Sequence, residues 1–395
     1  MKGSIINKNM WKFVDWLLVV IIFILVGYSL LSIINATASP FTGDEQGFAE
    51  FFANLDLSAA LWQLVFFGIG LVLMFLVMLV DYHTLAHLTD WIYWAVVALL
   101  VAVYFLGSKQ NGTVGWFMIG SRGFQPAEVC KILMIIVLAK LLSDKTEGNE
   151  NGIQSFKDVF PALWRLAIPV ALIVIQPDMG TAMVYVITFA VMLFMAKTSW
   201  KVWLILIGIV GAAVGIYLVY IANDAGNYQW TRILAFFRPE SETVQSADAT
   251  LQMDQAKLAI GSGGFFGKGL FTPGSLSQLG YVPFSNNDFI FAVTVEAFGF
   301  LGGLVLIILY FLLVSRTFML SLRAKDDFGA YIIIGVAAMT LFHVVENIGM
   351  NIGLLPVTGI PLPFFSSGGS SMILNCIAFG FVLSVDMRRQ RWQGQ

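Results

Sequence analysis

Ten stretches of this chain are long and apolar enough to be read as helices crossing a bilayer. Such a helix needs about 20 apolar residues to cross a hydrocarbon core about 30 Å thick. The stretches are 13–34, 58–80, 91–106, 126–142, 159–176, 180–196, 202–222, 287–314, 329–350 and 370–386. The third is short, and the fifth and sixth are split only by QPDMG (176–180), where proline and glycine favour a tight turn. With no water in the bilayer core, each crossing segment must satisfy its backbone groups internally. The sequence therefore predicts an all-α polytopic membrane protein with about ten transmembrane helices. Composition agrees: 58% of the 395 residues are hydrophobic, 12% are charged and mean hydropathy is +0.82. Soluble domains carry about twice that share of charge. The first run is long and lacks a small-residue cleavage site, so it is expected to stay as a helix.

Basic residues orient the bundle, because cytoplasmic loops collect Lys and Arg. With the N-terminus inside, only seven of the 22 basic residues fall outside: Lys109, Arg122, Lys131, Arg232, Arg238, Lys257 and Lys268. Four of these are spread through one long loop, about 223–286. Both termini are therefore expected in the cytoplasm, with a single domain spanning 1–395 and that one long extracytoplasmic loop. The outer side also carries the unusual chemistry: GTVGWFMIGSRGFQPAEVCK (112–131), QPDMGTA (176–182) and GLLPVTGIPLPFFSSGGSS (353–371). Cys130 and Cys376 lie in apolar runs and read as inert thiols. The net charge of −2 gives no reason to expect a nucleic-acid partner.

Asp288, in SNND at the head of the eighth span, has two readings. It is a helix-terminal cap, or a carboxylate at the water–lipid boundary positioned as a general base. Glu296 follows eight residues on, about 12 Å deeper on a regular helix. An ionisable group there needs a cavity or a partner. Asp178 reads as an Asx-turn stabiliser or a site residue. Glu128 and Lys131 share a helix face. The glycine-rich pieces AIGSGGFFGKGL (259–270) and SSGGSS (366–371) are tight turns or phosphate nests. His343 and Glu346 share a face of the ninth span and are expected to hydrogen-bond to a neighbouring helix. His83 and His87, near Asp81 and Asp90, have the spacing of a zinc pair without a supporting motif.

The segments QPDMGTA, AIGSGGFFGKGL, NDFIFAVTVEAFG and NIGLLPVTGIPLPFFSSGGSS occur in this order across nearly the whole chain. Together they resemble the SEDS family, the RodA, FtsW and SpoVE group of bacterial cell-wall polymerases. TGIPLPF fits the RodA, or elongation, branch better than the division branch. The resemblance implies a peptidoglycan glycosyltransferase that polymerises lipid II on the outer face of the cytoplasmic membrane. It also implies a class B penicillin-binding protein as transpeptidase partner. The family's essential aspartate falls on Asp288, and family-type residues match at Trp116, Glu128, Lys131, Asp178, Pro361, Pro363, Ser366, Gly368 and Gly369. Departures are Phe284 after Pro283, Gly115 for a frequent arginine, Ala127-Glu128 for Ser-Glu, and Ser367 for tyrosine.

For such a substrate the expected reaction inverts the anomeric centre in one displacement. Asp288 acts as base and Glu296 stands behind it. Lys131, Arg232, Lys268 or a divalent cation (Mg or Mn) neutralises the leaving diphosphate. The alternatives are a lipid II flippase, which proline-broken segments near residues 177 and 356 would also suit, and a scaffold that only recruits a partner.

Overall fold

The computed structural model describes residues 10–38, 55–110, 113–119, 122–222 and 244–389. All ten expected spans are helical. They are α1 (Trp16–Thr37), α2 (Ser58–Leu79), α4 (Thr89–Leu106), α5 (Pro126–Thr146), α6 (Phe156–Ile175), α7 (Met179–Met195), α8 (Trp200–Ala222), α10 (Ile290–Ser321), α11 (Asp327–Asn351) and α12 (Gly369–Met387). A short α3 (Tyr82–Ala86) links α2 to α4, and α9 (Val244–Gly263) lies within the long connection before α10. Eight of these helices are long and apolar enough to cross a membrane. The other two expected spans fall short for visible reasons. The helix α5 carries Glu128, Lys131, Lys140, Asp144 and Lys145, and α7 has only 17 residues.

The helix α11 is the axis of the bundle. Much of its length is buried, and it packs on α10, α7, α5 and α12. By contrast α8 and α10 show long apolar faces, including Ile216, Tyr220, Phe300 and Phe311. Apolar surface of that extent suits contact with lipid. Cys130 and Cys376 are free and buried. One small element was not foreseen: a three-stranded antiparallel sheet of β1 (Ser108–Gln110), β2 (Thr113–Ile119) and β3 (Arg122–Phe124). It sits between α4 and α5, with Trp116 half-buried and its ring against the backbone of Gly123.

The helix α10 departs from a simple span. Its 32 residues would run about 48 Å, well beyond the core thickness. Gly299, at φ +71° and ψ −169°, breaks it into a short segment, 290–298, and a longer one, 300–321. The break frees carbonyls that need donors. The turn after α9 supplies them, with Lys268 N donating to the Glu296 carbonyl and Gly269 N to the Ala297 carbonyl, each at 3.0 Å. In return Phe300 N donates to the Gly264 carbonyl at 2.9 Å. A side chain at position 299 would strike Gly267 N at 2.3 Å, so only glycine fits this crossing. The glycine-rich segment 259–270 thus ends α9 and seats it against the α10 break.

Candidate active site

One end of the bundle gathers most of the predicted residues. Asp288 lies in a turn just before α10, half-buried, and the helix N-cap is Phe289. Its main chain is held by an unusual run of contacts. The carbonyl of Asn286 accepts from Ser367 N at 2.8 Å, and that of Asn287 accepts from Ser366 Oγ at 2.7 Å. The carbonyl of Asp288 itself accepts from Asn347 Nδ2 at 3.0 Å and Asn351 Nδ2 at 2.9 Å. Three consecutive carbonyls are therefore fixed by two distant segments. Each net bond stabilises by about 0.5–1.5 kcal/mol, and leaving a buried partner unpaired costs more.

Those donors are themselves locked. Ser366 Oγ accepts from Leu362 N at 2.8 Å, and Gln63 Nε2 donates to the Ser366 carbonyl at 3.0 Å. Asn347 also donates to the Ile360 carbonyl at 2.8 Å, and Asn351 Oδ1 accepts from Ala292 N at 3.2 Å. Phe284 and Phe364, on either side of the junction, adopt φ of +48° and +63°. Non-glycine residues hold such angles only where their surroundings over-determine them. The Asp288 carboxylate lies beside Gly359, where an added Cβ would sit 3.6 Å from Oδ2. Gly369, at the start of α12, has no room for a side chain because Phe66 fills that space.

A second wall comes from α5 and α11. Lys131 is 3% exposed, and its Nζ lies 2.7 Å from Glu128 Oε1 and 2.9 Å from His343 Nε2. An ammonium can only donate, so His343 Nε2 is the acceptor and the ring is neutral there. Glu346, one turn further along α11, is 1% exposed, and neither carboxyl oxygen has a hydrogen-bond partner among the described residues. The charges of Lys131, Asp178 and Asp288 all act on it. Asp178 caps α7 through Thr181 N at 3.0 Å and accepts from Gln125 Nε2 at 2.7 Å. Burial pushes its carboxyl above the ordinary range, against the pull of the Thr181 hydrogen bonds. A narrow crevice runs below Lys131 between Met134, Tyr185, Thr188 and Met339.

The remaining expected residues divide. Lys268 is not gathered at Asp288; its Nζ lies 2.8 Å from Glu296 Oε1. Glu296 also accepts from Leu276 N at 2.7 Å and Ser277 N at 2.9 Å. It therefore organises the 262–277 segment, three residues before the helix break at Gly299. Arg232 lies outside the described residues. His83 pairs with two carboxylates, Asp81 at 2.9 Å and Asp326 at 3.0 Å. Sequence reasoning missed Asn347 and Asn351, although their i,i+4 spacing inside an apolar helix was a usable signal.

These contacts join NDFIF, NIGMN and PLPFFSS into one structure although they lie far apart in the chain. Residues 15–391 match the FtsW, RodA and SpoVE family, described as cell cycle proteins. The chain belongs to this family. Stage V sporulation protein E of Bacillus subtilis is 35% identical, over 94% of this chain and 96% of that protein. Peptidoglycan glycosyltransferase MrdB of Escherichia coli is 33% identical, over 82% of this chain and 84% of its own length. Among solved structures, Thermus thermophilus rod shape determining protein RodA superposes with a TM-score of 0.66 at 28% identity. That match covers 96% of this chain and 98% of the other. A chain from a structure described as a peptidoglycan synthase complex that coordinates polymerization and crosslinking gives a TM-score of 0.73 at 28% identity, covering 96% and 99%. In this SEDS protein the fold of the whole bundle, and not only its motifs, is that of the family.

Proposed function

We propose that this chain is a peptidoglycan glycosyltransferase that polymerises lipid II, with Asp288 as the general base. The observation that carries the reading is the triple carbonyl anchorage of 286–288. It fixes the backbone of one half-buried aspartate and so sets where its carboxylate sits. The acceptor sugar's hydroxyl gives its proton to Asp288, and its oxygen attacks the anomeric carbon of the lipid-linked donor. Undecaprenyl diphosphate departs, and the α-linked donor becomes a β-linked glycan. One displacement needs one base and no covalent intermediate.

The site lies at the end of the bundle that the distribution of Lys and Arg assigns to the outer face of the cytoplasmic membrane. There the substrate's prenyl tail stays in lipid and its sugars reach water. Lys131 has three N–H donors, two of them engaged by Glu128 and His343, and the third is assigned to the diphosphate. Lys268 belongs to the Glu296 contact. Trp116, Gly368 and Gly369 are assigned to the rim, and the buried Ser366 holds the Asn287 carbonyl behind it. Among the described residues no three His, Cys, Asp or Glu side chains converge as metal ligands. A divalent cation would enter with the diphosphate. The likeness to a component of a synthase complex supports a crosslinking partner, which we assign as a class B penicillin-binding protein, and TGIPLPF supports the elongation role.

Purified wild type and Asp288→Asn, each with lipid II in detergent and with or without EDTA, test the reading. Wild type should make glycan strands and Asp288→Asn should not. Polymer formed in detergent, with no membrane to cross, decides against a flippase. Near-normal polymer from Asp288→Asn would remove the base.

A further inference from the structure

The mechanism so far leaves one buried acid without a task. Glu346 is 1% exposed on α11, and both its oxygens lack a hydrogen-bond donor among the described residues. It sits between two working contacts. His343, one turn before it, holds Lys131 at 2.9 Å, and Asn347, the next residue, holds the Asp288 carbonyl at 3.0 Å. Depth matches as well. Glu346 and Lys131 are each about 8 Å from the ends of their helices on the Asp288 side.

A carboxylate in such a place would be charged, buried and unsatisfied, which is among the costliest arrangements in a protein. The same group carrying a proton is uncharged and is itself a donor. The surroundings point the same way. Glu128, Asp178 and Glu346 share one neighbouring cation, Lys131, and the charge of Asp288 also acts on Glu346. A leaving diphosphate adds further negative charge. A donor that brings no negative charge fits an anionic leaving group better than another carboxylate would.

From this geometry we infer that Glu346 is a second catalytic carboxyl, the acid that donates to the departing diphosphate oxygen while Asp288 takes the acceptor's proton. The inference rests on the glycosyltransferase reading and completes its proton balance. The acceptor O–H bond breaks, and its proton goes to Asp288. The new bond forms at the anomeric carbon. The bond to the diphosphate breaks, its electron pair stays on the phosphate oxygen, and Glu346 gives that oxygen its proton. The proton on Asp288 then passes to the emptied Glu346, and both groups return to their starting forms. Two carboxyls in different environments, one half-exposed at the mouth and one sealed below it, suit the roles of base and acid.

The test uses the full-length protein in detergent with lipid II, comparing wild type, Glu346→Gln, Glu346→Asp, Glu346→Leu and Asp288→Asn. Infrared spectra should show the carbonyl stretch of a protonated carboxyl in resting wild type, absent in Glu346→Gln. With folding intact by thermal melt, Glu346→Gln should lose about 10²-fold in kcat with KM little changed. It should also lose the alkaline fall of the pH–rate profile, because that fall reports an acid that must hold its proton. Glu346→Asp should retain part of the rate. A wild-type rate in Glu346→Leu, an unchanged pH profile in Glu346→Gln, or no protonated-carboxyl band at residue 346 would each overturn the assignment. The infrared band needs no turnover. A failure of the polymerase reading, seen as active Asp288→Asn, is therefore distinguishable from a failure of this one.

Discussion

The two ends of the bundle are built from different materials. At the Asp288 end, main-chain carbonyls are held by amide and hydroxyl side chains, and the ion pairs there, Glu128–Lys131 and Lys268–Glu296, each bury at least one partner almost fully. At the opposite end, charged side chains tie helix to helix. Arg316 bridges to Asp15, Arg165 to Asp90, and His83 joins Asp81 to Asp326. Asp90, Asp81 and His83 are exposed and Arg316, Arg165 and Asp326 partly so, with Asp15 the buried exception. Exposed pairs contribute about 0–1 kcal/mol and tolerate slack in geometry. Bonds to buried carbonyls are directional and costly to lose. The contrast fits the division of labour. On the proposed function one end must hold a carboxylate to within about 0.5 Å, and the other needs only to keep helices together.

The largest expected effect is at Asp288. Asp288→Asn should lower polymer synthesis by about 10²–10⁴-fold. Its thermal midpoint should stay close to wild type, because the segment is anchored by main-chain carbonyls. A large loss of stability would mean that the carboxylate is part of the scaffold, and the contrast between anchor and reagent would fail.

Next comes the anchor. Asn351→Ala removes a donor to the Asp288 carbonyl and the acceptor for Ala292 N. It should cost about 1–3 kcal/mol in unfolding, together with a fall in kcat. Asn351→Asp keeps an acceptor for Ala292 N but replaces the amide donor with a buried carboxyl beside the Asp288 carbonyl, so it should cost at least as much as Asn351→Ala. If both variants polymerise normally, the carbonyl contacts are not what positions the base.

Glu296 should come third. In Glu296→Ala the amides of Leu276 and Ser277 lose their acceptors, each worth about 1 kcal/mol net. Hydrogen exchange at those two amides should quicken, while Asp288→Asn leaves them protected. Unchanged exchange would show that the loop is held without this carboxylate.

Much of this was legible in the sequence because spanning helices must be about 20 apolar residues long and motif order survives at low identity. The place of Asp288 at the head of a span admits a cap or a base, and the family resemblance is what singles it out. What could not be read were partners set by three-dimensional proximity. Asn347 and Asn351 meet residue 288 across 59 and 63 positions; their i,i+4 spacing marks a polar stripe on the helix but does not say which segment it meets. Lys268 is, by its charge, one of several candidates for the diphosphate, and the carboxylate it meets in the fold, Glu296, lies 28 residues further along the chain. The eighth span was placed at 287–314, yet α10 runs to Ser321, because a helix continues after its apolar stretch ends. Gly299 resembled other helical glycines, and only the crossing of α9 explains it. The His343–Glu346 face was visible as i,i+3 spacing, but the pair splits: His343 meets Lys131, and Glu346 meets no donor among the described residues.

The smallest expected effect probes the opposite end. Burial alone would raise the Asp81 carboxyl, but its hydrogen bonds and charge contact with His83 outweigh that and hold it below the ordinary carboxylate range. A depressed carboxylate stabilises the fold above its unfolded pKa of about 3.9, and that contribution fades as pH falls through the lower folded value. Asp81→Asn should therefore cost under about 1 kcal/mol at neutral pH, consistent with an exposed pair. The difference from wild type should close below about pH 4. Polymerase activity should be unaffected. Thermal melts of both proteins across that range measure it. A cost rivalling that of Asn351→Ala would mean the two ends are equally exacting, and the distinction between a directional end and a tolerant one would have to be abandoned.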